Sequence, residues 1–333
     1  MIALSIKDKG KPFILIGAMI AGVLIQRIIG HGLPWLMYVT QIGVFLVILA
    51  VMLPVELTDV GTAMKKLKPT ALVLFINFIL IPLFSWSLGW LVLRGYPDFW
   101  VGAILYTLTP CIGWYLIFTD IAKGDVAWGI ALLPWNVTLQ VFLLPVYLYL
   151  LVGRVIPVDL GSLLQSVTLY LVAPFLLSFV IRKVIIATRG HEYFFGRFKQ
   201  NLGDVKLWTF VAVIVSMFLS QETLKFADVN TVVLLIAFLI GFFVVLLLLT
   251  LLLGRIFKLS YQDNVTLAFT TTARNSEAVI GVAIAAFPGH PLVYFAIILG
   301  PIVELPVLLL IARIMLSLRH WIGSGHAAKN ESA

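Results

Sequence analysis

The run LLIAFLIGFFVVLLLLTLLL, residues 234–253, carries no charged side chain. A helix rising about 1.5 Å per residue crosses the roughly 30 Å hydrocarbon core of a bilayer in about 20 residues. Runs of this kind recur along the chain, and ten segments qualify: Pro12–Ile29, Leu33–Leu53, Thr70–Leu93, Trp100–Ile121, Val126–Val152, Leu160–Ile181, Leu207–Gln221, Thr231–Leu253, Val265–Phe287 and Pro291–Leu316. Lipid leaves backbone groups no partner but each other, so such segments fold as helices. The composition agrees: 62% of residues are hydrophobic and 11% charged. A soluble domain has about 25% charged residues. The expectation is an all-α membrane protein with one transmembrane domain over residues 1–333 and no soluble domain.

The net charge of +8 does not point to nucleic acid. With alternate loops placed on alternate sides, only Arg27, Arg94, Arg154 and Lys225 fall opposite the N-terminus, and Arg274 and Arg313 lie inside spans. Every other base falls on the N-terminal side. That asymmetry puts both termini, and a tail over 317–333, in the cytoplasm. The first apolar run shows no small-residue cleavage site and reads as a retained helix in a plasma-membrane protein. The single cysteine, Cys111, excludes an intrachain disulfide.

Ten spans divide into five plus five, with repeat one over about 12–152 and repeat two over about 160–316. An odd number per half inverts the second half in the membrane. Span four contains TLTPCIGW and span nine contains TTTARNSE, so both are interrupted at corresponding places. Span five carries Asn136, Gln140 and Pro145, and span ten carries Pro301, Glu304 and Pro306. The spacing from Cys111 to Gln140 equals that from Asn275 to Glu304. Paired interruptions of this sort point to a transport site at the bilayer midplane.

Of the acids, only Glu277 and Glu304 fall inside apolar segments. A charge at the bilayer centre costs about 2.5–3.5 kcal/mol or more, so Arg274, Glu277 and Glu304 need partners, water or a task. Arg274 and Glu277 stand at i, i+3, where an ion pair is expected on a regular helix. Glu304 has no base nearby in sequence and lies between two prolines that free backbone carbonyls. Unpaired in a low dielectric, it favours its neutral form, which suits a proton carrier. Cys111 follows Pro110 at the expected break, where a thiol can ligate a soft, thiophilic solute. Asn136 and Gln140 read as site lining or as helix–helix hydrogen bonding. Trp35, Trp86, Trp90, Trp100 and Trp321 read as interfacial anchors. The histidines show no metal-ligand spacing, and no nucleotide-binding motif or nucleophile–base pair is present. No cofactor or resident metal is expected, and the chain reads as a non-enzyme. Its partners are a small solute, protons and the bilayer; the sequence does not fix an oligomeric state.

These motifs, TPC followed by Gly124–Asp125, NSE in span nine and GPIVELPV in span ten, resemble the arsenical-resistance efflux transporters of the bile acid/sodium symporter superfamily. The likeness covers nearly the whole chain. It implies ten helices in two inverted repeats, a core and a panel domain, and helices four and nine crossing at their breaks. It also implies proton-coupled efflux of trivalent arsenite or antimonite, with Cys111 and Glu304 as the functional pair and Asn136 and Asn275 at the site. The base at Arg274 departs from that family's pattern. In the sodium-coupled branch, the positions holding the cation correspond to Thr270, Arg274, Tyr115 and Leu116 here. A guanidinium there would stand in for the ion, with Glu277 holding it in the membrane. The rival reading is a transporter of an organic anion bound directly by Arg274.

Overall fold

The structure, a computed structural model, describes residues 6–54, 66–112, 114–156, 160–220 and 229–319. It is all-helical among these residues, apart from one antiparallel bridge between Pro110 and Arg274. Twelve helices are described: α1 (Ile6–Ile29), α2 (Leu36–Met52), α3 (Leu67–Leu93), α4 (Pro97–Thr107), α5 (Trp114–Ile121), α6 (Val126–Val152), α7 (160–189), α8 (His191–Ser220), α9 (Val229–Ile256), α10 (Tyr261–Thr272), α11 (Ser276–Ala286) and α12 (Pro291–Ser317). Six are long and apolar enough to cross a membrane: α3, α6, most of α7, α8, α9 and α12. Most of the tail, from residue 320 onward, and Trp321 lie outside the described residues.

One polar stretch differs from its expected form. Residues 182–206 read as a loop between spans, yet they are helical except for a turn at Gly190, which has φ +85. A positive φ is cheap only for glycine. The charged residues around it, Lys and Arg above all, are good helix formers. Low hydropathy therefore does not end the helix here, and the helix expected at Leu207–Gln221 begins at His191.

The helices pack in two groups. In one, α2 and α8 lie together, with α1 against α8 and α7 against α2. In the other, α4 packs on α3 and α12, while α9 packs on α10 and α12, and α5 lies on α10 and α6. Helix α11 runs from the second group onto α2 and α7. A Cβ at Gly281 would collide with Val44 of α2 and crowd Tyr170 of α7, so this glycine sets how closely α11 approaches. Trp100 is not an interfacial anchor. It is 8% exposed, and its indole fills the notch left by Gly89. Trp35 and Trp90 are exposed.

At one end of the second group, Lys66 precedes α3 and its Nζ pairs with Asp125 Oδ2 at 2.8 Å and with Asp263. Asp125 caps α6 by accepting from the Trp128 N–H at 2.9 Å. Ser260 caps α10 by accepting from the Asp263 N–H. One ammonium thus joins the first turns of three helices. Burial pulls Lys66 down, but its bonds to Asp125 and Asp263 carry it above 10.5 overall. Burial pushes Asp125 up, and the bonds from Lys66 and the Trp128 N–H bring it below 3.8.

Candidate functional site

The two breaks form for different local reasons. At the first, Pro110 cannot donate to the helix and disfavours helical geometry at Thr109. At the second there is neither Pro nor Gly. Thr270, Thr271 and Thr272 turn their hydroxyls back onto main-chain carbonyls of α10, a habit that loosens helices. Ala273 is then extended at ψ 137. Asn275 restarts the chain as the N-cap of α11, its Oδ1 accepting from the Ala278 N–H at 3.2 Å.

The extended pieces lie antiparallel. The Cys111 N–H donates to Ala273 O at 3.0 Å, and the Asn275 N–H donates to Thr109 O at 2.8 Å. Thr109 Oγ1 donates to Asn275 O at 3.0 Å. Main-chain groups exposed by breaking two helices are in this way satisfied by each other, as a low-dielectric interior requires.

Arg274 is 2% exposed and stands at this junction. Its guanidinium donates to Thr107 O at 2.9 Å, Asn77 Oδ1 at 3.1 Å, Thr272 O at 3.3 Å and Thr271 O. The face of Phe242 covers it, 5.8 Å from ring centre to Cζ. Thr107 ends α4, and Thr271 and Thr272 end α10. Helix C-termini carry orphan carbonyls and partial negative charge, so Arg274 caps two helices at once. Asn77, on α3, also reaches Thr270 O at 3.4 Å and Asn136 Oδ1 at 3.3 Å.

The expected Arg274–Glu277 pair is not formed. Glu277 pairs instead with Lys206 of α8 at 3.1 Å. The i, i+3 rule holds only along a continuous helix. Here Arg274 precedes the cap and points back at α10, while Glu277 sits on the first turn of α11 and faces α8. Glu304 is not unpaired either. It is 2% exposed, with Oε1 accepting from the Arg274 N–H at 2.9 Å and Oε2 accepting from the Tyr106 hydroxyl.

Cys111, 3% exposed, lies in an apolar cluster with Tyr115, Phe118, Phe269 and Leu308. Cys111 and Glu304 hydrogen-bond to successive residues of the second break, Ala273 and Arg274. Asn275 belongs to the same bridge, and Asn136 joins it through Asn77. Gln140, one turn beyond Asn136 on α6, is 1% exposed, and neither of its polar atoms has a protein partner among the described residues. The same is true of Asn136 Nδ2 and Asn275 Nδ2. Buried amides of this kind call for water or a solute. Asn77 and Tyr106 escaped the sequence reading. A lone Asn in LVLFINFILIPLF was the available signal for the first, and Tyr106 had none, since its partner is far along the chain.

Comparison with known proteins bears on the family of the chain. Residues 41–228 match the Sodium Bile acid symporter family. The Arsenical-resistance protein Acr3 of Corynebacterium glutamicum is 26% identical, over 96% of this chain and 90% of its own length. The Arsenical-resistance protein Acr3 of Alkaliphilus metalliredigens is 23% identical, over 84% of this chain and 81% of its own. The uncharacterised protein YbaS of Bacillus subtilis is 24% identical, over 84% and 88% respectively. With most of its length matched by such relatives, and more than half matched by the family itself, this multi-helix membrane chain belongs to the sodium/bile acid symporter family of transporters.

Proposed function

We propose that the chain is a secondary active transporter that exports trivalent arsenite or antimonite across the plasma membrane in exchange for protons. In this reading its ten spans form two inverted five-helix repeats, both termini are cytoplasmic, and α4–α5 and α10–α11 are the broken spans. The observation that carries it is that the buried carboxyl of Glu304 and the main chain of the buried Cys111 bond to adjacent residues, Arg274 and Ala273, of one helix break. A thiol is a soft ligand for a thiophilic centre. A buried carboxyl whose proton is exchanged during the cycle couples cargo to the proton gradient, because each ligand shifts the equilibrium between two states of the site. The amides of Asn136, Asn275 and Gln140 supply hydrogen bonds to the hydroxyls of a neutral cargo.

The organic-anion alternative draws less support. It needs the Arg274 guanidinium, and four of that group's N–H bonds are directed at protein acceptors.

The test is arsenite uptake into everted vesicles under an imposed pH gradient, with and without sodium. The wild-type chain should accumulate arsenite without sodium. Cys111→Ser should reach the membrane and lose metalloid transport, and Glu304→Gln should fold and lose the response to the gradient. Normal arsenite transport by a well-expressed Cys111→Ser variant would sink the proposal.

A further inference from the structure

Among the described residues, Glu304 is bonded by two donors. The Arg274 N–H is fixed by the backbone, so its bond to Oε1 does not depend on any rotor. The Tyr106 hydroxyl is a rotor, and it donates to Oε2. A hydroxyl donates more strongly to a carboxylate oxygen than to the same oxygen once protonated, which is a weaker acceptor. A proton arriving there weakens this bond or leads the hydroxyl to turn and accept instead. Tyr106 lies in the last turn of α4, one residue before Thr107, whose carbonyl Arg274 caps. Its ring is fully buried.

The sequence makes room for this contact. Gly300 and Glu304 stand one turn apart on α12, and a Cβ at Gly300 would run into three atoms of the Tyr106 ring. With any other residue there, the ring could not lie where its hydroxyl reaches the carboxyl. Among the described residues, the titratable groups acting on Glu304 are Tyr106 from α4, Arg274 from the break and Glu277 from α11; Cys111 acts on Tyr106.

We propose that Tyr106 is the positioning residue of the proton site: it holds Glu304 as a hydrogen-bond acceptor, and Gly300 is the notch that admits its ring. This rests on Glu304 as the proton carrier. A donor to a carboxylate stabilises the ionised form. Losing it should move the ionisation midpoint of Glu304 upward by about one to two pH units, the range of hydrogen bonds to charged groups.

The experiment is an infrared pH titration of the purified protein in lipid nanodiscs, reading the carboxylic C=O band that Glu304→Gln removes. Tyr106→Phe should move the midpoint upward. Gly300→Ala, which keeps both polar groups and displaces the ring, should move it the same way. The pH profile of gradient-driven export should shift with it. An unmoved midpoint in both variants, with Glu304→Gln inactive, overturns the role of Tyr106 alone. Loss of export in Tyr106→Phe with no shift marks a merely structural residue and also overturns it. Wild-type export by Glu304→Gln overturns the proton-carrier reading and this inference with it.

Discussion

Replacing Arg274 with methionine keeps an unbranched apolar stem while removing the guanidinium. Four acceptors then lose their donor: the carbonyls of Thr107, Thr271 and Thr272, and the Asn77 amide oxygen. A buried polar group left unsatisfied costs about 1–3 kcal/mol. The low end of that range, taken over these groups, is already about 4 kcal/mol. Relief of the guanidinium's own desolvation offsets part of this, leaving a net loss of roughly 2–4 kcal/mol. Folded proteins hold only about 5–15 kcal/mol in total, so the loss should show plainly. The assay is size-exclusion chromatography of detergent-solubilised protein after heating. Arg274→Met should lose its monodisperse peak well below the wild-type temperature, and Arg274→Lys should fall between them. Arg274→Ala adds a sharper test. It leaves carbonyl oxygens, hard ligands suited to a hard cation, around the space of the lost side chain. Sodium should raise the midpoint of Arg274→Ala and leave wild type unchanged. An Arg274→Met variant that melts with wild type would refute the argument that this side chain caps two helices.

Because the guanidinium already serves those carbonyls, wild-type transport should proceed at full rate with sodium replaced by choline; a saturable sodium requirement in vesicle uptake would contradict this. Glu277→Gln leaves the bonds of Arg274 intact and breaks only the partly exposed pair with Lys206, so it should cost about 0–1 kcal/mol in the same heating assay, and Lys206→Met should match it. Asp125 is held below 3.8, so the stability it contributes is present above that value and lost as pH falls through its folded one, while that of Lys66, held above 10.5, is lost only as pH rises past that value. Thermal stability should therefore be flat in this respect from about pH 5 to 9 and drop below pH 3.8, and Lys66→Met should show a shallower acid drop.

The all-helical character and the six long apolar helices were legible because lipid imposes a length and a polarity that no packing detail can override. The first break was legible from Pro110, whose effect is local. The second was visible as a polar cluster, yet its wiring was not. Arg274 reaches not only α10 beside it but also Asn77 on α3 and Thr107 on α4, and the pair of Tyr106 with Glu304 joins residues 198 apart. Helical spacing also misled at Glu277, since the break that makes the site cancels the periodicity used to pair it with Arg274. At residues 182–206 polarity suggested a loop, because hydropathy reports where lipid ends and not where hydrogen-bonded helix does.

The bridge between Pro110 and Arg274 also sets a timetable for making the protein. Thr109 and Asn275, which it joins, lie 166 residues apart. At about 5–20 residues per second, a ribosome needs on the order of ten to thirty seconds to deliver the second half of that bridge after the first. Throughout that interval the opened turn at Thr109–Cys111 has no strand to pair with. It must wait at the insertion machinery, in water, or beside a chaperone. A chain truncated before Ala273 would carry every residue of α4 and α5 and still lack the partner of their turn, so quality control should recognise it by a segment that the finished protein hides.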